Sequence, residues 1–484
     1  MRAPATPAAG QRRRATGIGA AVAVAGLASP GAAHAHGLVA RRDLPIPEWL
    51  VSWVAAAVLV LSFLLLAAAW STPRLSPIPW RPLNSGSRRR LTSVGIEVAA
   101  GGIGVALLVL VVFAGFTGPS APTDNLAPTF VLIVFWVGLA FASVLFGNVF
   151  ALFNPWRAIG RATGWATRRG RGPAPVRPYP HSLGCWPAVA GLLAFAWLEL
   201  ASGWAERPER LAAAIVGYSA LTLAGMAVYG VETWTRRGEA FAIYFGLLAR
   251  LSVFEVRDRR IGLRPPLAGL SAPQAVAGTV AFVATMIGSV TFDGLSEGPA
   301  WRELSRALNS AWLDLGIPIE TGVMLSATIG LLACCLLVAA IYRLAIHGVA
   351  VALGTRPGPE LAGAFAFSLV PIAMAYVAAH YLTLLLFEGQ AIAYLTSDPL
   401  GRGWDLFGTA AAGIDYSLVS PTSVWFLKVG LVVAGHVGGL VLAHDRALQL
   451  AAEPRTAIRS QYPMLAVMVA FTSLALWLLS QDAT

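Results

Sequence analysis

An ionisable side chain inside a long apolar run is costly enough in hydrocarbon that a working role is the first thing to ask of it. His380 stands beside Tyr381 in one such run, and Glu388 closes that run about two helical turns later. Asp293, within Thr291-Phe292-Asp293-Gly294, ends another run, and Asp405 and Asp415 lie in the connection from Glu388 to Ser420. Neutral imidazole and carboxylates together have two chemistries open to them. They can hold a divalent metal and acidify its water, or one of them can act directly as general base. His380 is thus a candidate catalytic residue and metal ligand, with Asp293 and Asp415 as carboxylate partners. Turn formation is the plainer role for Asp293, Asp405 and Asp415, because aspartate near glycine bonds its own backbone.

Glu199 and Lys428 fall at similar depths in two further runs, which permits a buried ion pair. Alternatively Lys428 extends its stem toward Asp415 or Glu388 at the interface. His436 is eight residues from both Lys428 and His444, a rotation of about 80° and a rise of about 12 Å on a helix. The three cannot share one small site, and His436 is the buried candidate of the set. His444-Asp445-Arg446 reads as a solvated charged cap. Trp404, Phe407 and Tyr416 make the 388–420 connection a candidate lid over a cavity, with Trp404, Asp405, Glu199 and Lys428 as substrate contacts. No Walker loop, HExxH pair, GxSxG elbow or CxxCH site is present. Cys185, Cys334 and Cys335 are too few and too poorly spaced for a disulfide framework or zinc ribbon, and read as packing residues.

The elements that must position these residues follow from composition. The 484 residues are 57% hydrophobic and 12% charged, with a mean hydropathy of +0.67, more apolar surface than a soluble fold of this length can hide. The partner is therefore a lipid bilayer. Backbone groups in lipid must be satisfied internally, and the apolar runs are too long and unalternating for barrel strands, so the fold class is all-α and polytopic. Ten spans are predicted, near 49–70, 98–116, 129–150, 186–204, 211–231, 275–292, 321–342, 361–387, 422–443 and 462–480. Two further helices are expected: an interfacial one over 241–253, and an amphipathic one over 299–315 that caps the outer surface. No soluble domain of useful size and no convincing internal repeat is visible.

Charge then sets orientation. Lys428 is the only lysine, and arginines crowd alternate connections, as in Arg74 to Arg90, Arg157 to Arg177 and Arg236 to Arg264. The intervening connections are acidic. This distribution accounts for the net charge of +11 without a nucleic-acid partner. At the amino end, Arg12-Arg13-Arg14, an apolar stretch from Ala15 to Ala28 and Ala33-His34-Ala35 form the pattern of a removable export signal over residues 1–35. Cleavage leaves residues 36–484 as one multi-pass domain in a bacterial plasma membrane, with both termini outside. The new terminus, His36, offers an amine and an imidazole that can chelate copper or another divalent metal.

The segments Ala33-His34-Ala35-His36-Gly37-Leu38-Val39 and Asp43-Leu44-Pro45-Ile46-Pro47-Glu48-Trp49-Leu50, with Gly435-His436 and Leu442-Ala443-His444-Asp445-Arg446-Ala447-Leu448, resemble an actinobacterial family of membrane proteins labelled fenitrothion hydrolase. The resemblance implies hydrolysis of an organophosphate triester: water or hydroxide attacks phosphorus, an aryl oxide leaves, and the small apolar substrate arrives through lipid. In that reading His380, with Asp293 or Asp415, activates water, with or without a metal, and Trp404 binds the ring. The competing reading is a permease or ion-coupled transporter in which Glu199, Lys428, His380 and His436 form a midplane pathway. Copper handling from His36 is a third.

Overall fold

The structure, a computed structural model, describes residues 48–76, 79–83, 94–167, 176–257, 260–271 and 274–481. The export signal and His36 lie outside the described residues. Each of the ten predicted runs is helical: α1 Glu48–Ala69, α2 Val94–Thr117, α3 Leu126–Phe146, α4 Trp186–Leu200, α5 Pro208–Tyr229, α7 Thr279–Ser296, α9 Ile319–Leu353, α10 Pro359–Leu386, α11 Pro421–Leu450 and α12 Tyr462–Gln481. Two shorter helices complete the set used below, α6 Ala240–Leu248 and α8 Pro299–Asp314. Among the described residues nine helices are long and apolar enough to cross a bilayer, and α1, with 22 residues, carries the tenth run. The chain is a multi-pass helical membrane protein.

Burial separates the helices into two groups. On α10 every residue from Val370 to Leu384 is buried, and α7 is buried from Phe282 to Gly294. Helices enclosed by protein on every side, rather than by lipid, can carry ionisable groups among protein partners. The others keep exposed apolar faces, such as Leu336 and Leu337 on α9 and Ile103 and Val109 on α2, which suit acyl chains. Inside α10 the turn tightens to a 3-10 form over Phe367–Leu369, because Pro371 lacks an N–H and its ring crowds the carbonyl four residues back. Against this segment α11 comes close. A Cβ on Gly435 would meet that of Ala375 at 2.3 Å, and one on Gly439 would meet the Ser368 carbonyl at 2.7 Å.

The segment expected to lie in the interface does something else. Instead α6 is sunk into the bundle, with Phe241, Tyr244, Phe245 and Leu248 all buried. It is apolar around its whole circumference, so it has no polar face to lay on water. Helix ends buried inside the protein need partners from it, and charged side chains supply them at both ends. Glu239 accepts from the amides of Phe241 and Ala242, and Arg264 donates to the carbonyls of Ala249 and Ser252. Arg264 lies next to a small antiparallel sheet of order β1-β3-β2, made of β1 Arg81–Pro82, β2 Phe254–Arg257 and β3 Arg260–Leu263. As expected, α8 covers the ends of its neighbours. Trp301 packs edge-on to Phe292 of α7, and Trp312 donates to Ser326 of α9.

The charged cap at 444–446 is likewise corrected: His444 and Asp445 are 0% and 1% exposed. The connection after α1 folds back over the end of α11 and covers them. Asp445 accepts from the amides of Arg74 and Leu75 at 2.7 and 3.2 Å. His444 Nε2 donates to the Trp70 carbonyl at 2.8 Å, and its Nδ1 faces Gln461. Replacing Asp445 by alanine leaves those amides without their acceptor, at a cost of about 1–3 kcal/mol. The expected outcome is a lower thermal midpoint in detergent for Asp445→Ala, with Asp445→Asn nearer wild type. An unchanged midpoint in both would show that this latch adds nothing.

Candidate functional site

The two most enclosed helices bring the first pair of candidates together. Asp293 lies one turn before the end of α7, and its Oδ2 is 3.0 Å from Nε2 of His380 on α10. The Tyr381 hydroxyl donates to the same oxygen at 2.5 Å. Successive residues of one helix thus flank one carboxylate, and all three side chains are buried. An imidazole and a phenol on one carboxylate oxygen form a device whose hydrogen bonding changes with a single proton, since a protonated Asp293 donates where the ionised form accepts.

Glu199 adjoins this trio from α4. Phe195, one turn earlier on the same face, packs on Trp136 with ring centroids 4.7 Å apart, and Trp136 stacks on Tyr244 at 4.5 Å. Ala196 of the same turn packs with Phe292, the neighbour of Asp293. Glu199 is accordingly within electrostatic reach of Asp293, Tyr244 and Tyr381. Among the described residues no ion pair or hydrogen bond to Glu199 is formed, so the pairing with Lys428 that equal depth permits is not made. Trp136 sits in a widened π-helical stretch of α3, Thr129–Gly138, a local form often found at functional sites.

Thr383, His380 and Tyr376 follow one another on one face of α10, and α11 meets that face twice. Lys428 Nζ donates to Thr383 Oγ1 at 3.4 Å. Two turns further along α11, His436 lies 6.2 Å from the Tyr376 ring. His436 is fully buried; its Nδ1 donates to the Val432 carbonyl at 2.8 Å, and its Nε2 has no hydrogen-bond partner. Lys428, His380 and His436 therefore belong to one polar seam rather than one small site.

The loop candidates stand elsewhere. Asp405 accepts from the Ala410 amide and the Ser397 hydroxyl, which hold its carboxyl below the usual range. Asp415 is held down in the same way by the Ser417 hydroxyl and amide. Both are turn formers on the exposed connection, and Asp415 is not brought to His380. Trp404, Phe407 and Tyr416 are 40%, 70% and 51% exposed, so they do not close over the buried trio as a lid.

A metal at His380 does not fit this arrangement. Among the described residues no group of three or more His, Cys, Asp or Glu is placed to hold an ion, and His36 lies outside them. The three cysteines are free and buried. Sequence reasoning missed Glu239, whose carboxylate is fully buried at the start of α6; an acidic residue immediately before an apolar helix, where it complements the helix dipole, is the signal that marks it. It also missed Trp136 and Tyr244, for which composition offers no signal. Comparison with protein-family models, with curated proteins and with solved structures finds no match for this chain.

Proposed function

We propose that this protein is a proton-coupled permease for a small solute, with Asp293, His380 and Tyr381 as its coupling group. The observation that carries this reading is the buried trio held between the two most buried helices, in which Asp293 accepts from Tyr381 and lies 3.0 Å from His380 Nε2. Protonating Asp293 removes the charge that faces His380 and turns the acceptor of Tyr381 into a donor, which loosens α7 from α10. The seam of Thr383, His380 and Tyr376 with Lys428 and His436 gives the proton a line of polar groups along α10. The alternation of arginine-rich and acidic connections supports a bacterial plasma membrane with both termini outside.

The test is proton movement into pyranine-loaded proteoliposomes when amines, amino acids or sugars are added outside. At least one class is expected to drive it, and Asp293→Asn is expected to remove at least nine-tenths of the rate in protein of normal thermal stability. No movement with any class, or an unchanged rate in Asp293→Asn, overturns the proposal.

The same Asp293–His380 pair favours a second reading, because a carboxylate that holds an imidazole also orients it as general base. Hydrolysis of an organophosphate triester, which the family resemblance implies, would then run from His380 with no metal. Turnover of an aryl phosphotriester by purified protein, lost in His380→Ala, would support that reading over transport.

A further inference from the structure

Tyr244 and Trp136 are 1% and 3% exposed, yet neither the Tyr244 hydroxyl nor the Trp136 indole N–H has a hydrogen-bond partner. Buried donors without acceptors are costly, and here two of them sit on one stacked pair of rings. Glu199 stands beside them, partly exposed and without ion pair or hydrogen bond among the described residues. Asp293, by contrast, shares its charge with His380 and Tyr381. One carboxylate of the cluster is engaged and the other is open.

We infer that Glu199, Tyr244 and Trp136 form the binding site of the transported solute, and that the solute is a small organic cation: a protonated nitrogen on Glu199, with a hydrogen-bond acceptor for the two donors. This rests on the permease reading above and names its substrate class. A cation supplies the counter-charge that lets Glu199 ionise in a low dielectric beside Asp293, which neither an anion nor a neutral solute can do. An inorganic cation would need several oxygen ligands, whereas indole N–H and phenol O–H groups suit an acceptor on a larger molecule. The Phe195 ring, one turn from Glu199 on the same helix face, provides an apolar wall for the body of the solute. Glu199 lies next to last on α4, so the site is near one end of that helix. The nearby Asp293 senses its charge, which gives coupling a direct electrostatic route.

The experiment is equilibrium binding of radiolabelled primary amines, from ethanolamine to tyramine, to the full chain in nanodiscs. Each amine is competed with its uncharged analogue, ethylene glycol or 4-ethylphenol. Saturable binding of at least one amine, uncompeted by the analogue, is expected. Glu199→Gln is expected to weaken it about tenfold to a hundredfold, the range for losing a charged hydrogen bond. Tyr244→Phe is expected to weaken it about threefold to tenfold, and Glu199→Asp, which keeps the charge, to restore selectivity for amines over analogues. Absence of saturable binding by every amine, or unchanged binding in Glu199→Gln, overturns the assignment. If protons move with another solute class and stop in Asp293→Asn, the permease reading stands and only the cation assignment falls. If amines bind at Glu199 but move no protons, the binding site stands and the coupling assignment falls.

Discussion

Glu239→Ala is expected to release α6 from the bundle and to take proton movement with it. The Glu239 carboxylate accepts from the Tyr218 hydroxyl at 2.6 Å, Asn154 Nδ2 at 3.1 Å, and the amides of Phe241 and Ala242 at 2.9 and 2.8 Å. It is 0% exposed, sealed from bulk solvent. Four donors from three parts of the chain then lose their common acceptor, and the first turn of α6 loses its cap. Each buried donor left without an acceptor costs about 1–3 kcal/mol, so the loss is a large share of a typical net stability of about 5–15 kcal/mol. Glu239→Gln keeps the shape and one acceptor oxygen, and should lose distinctly less. Tyr244 rides on α6, so solute binding should fall in step with the unfolding of that helix. Thermal unfolding in detergent and hydrogen exchange over residues 240–248 check this together. A Glu239→Ala protein with normal protection over that stretch would show that aromatic packing alone holds α6.

The spans were legible because hydrocarbon thickness and the rise of a helix translate directly into a length of apolar sequence. Their ends were less so. α9 runs on past Tyr342 through Arg343 and His347 to Leu353, since a helix leaving the hydrocarbon has no reason to stop where charge begins. The placement of α6 and the burial of His444 and Asp445 depend on which distant segments fold over them, and nothing local to those residues encodes it. The same divide holds at the site. Asp293 and His380 could be picked out because their burial is costly wherever it occurs. Asp405 and Asp415 had the right chemistry, but their surroundings are turns, and the turn reading describes them. Trp136 and Tyr244 were invisible in a chain that is 10% aromatic, because a donor without an acceptor exists only in three dimensions.

A close contact between α10 and α11 supplies the other large expected effect. Gly435→Leu should prevent α11 from docking on α10, whereas Gly430→Leu on the same helix should be tolerated. A Cβ at Gly435 would lie 2.3 Å from Ala375 Cβ and 2.7 Å from the Pro371 carbonyl, and at Gly430 it would meet nothing within 4 Å. Neither obstacle at Gly435 can swing aside: one is a Cβ fixed to a buried helix, the other the backbone of a proline. Overpacking a tight core costs about 1–3 kcal/mol and more where backbone must move, and a leucine here has three further carbons to place. Small residues are what let membrane helices approach this closely. At Gly430, on an exposed face, removing glycine from a helix interior is favourable by up to about 1 kcal/mol. Monodispersity in mild detergent and the thermal midpoint read both outcomes, and equal behaviour of the two variants would refute the packing argument. The smaller Gly435→Ala separates stability from function. Its methyl group still meets Ala375, so α11 must shift, and Lys428 and His436 shift with it away from Thr383 and Tyr376. A folded Gly435→Ala protein is therefore expected to move protons several-fold more slowly, while amine binding at Glu199, carried by α3, α4 and α6, changes little.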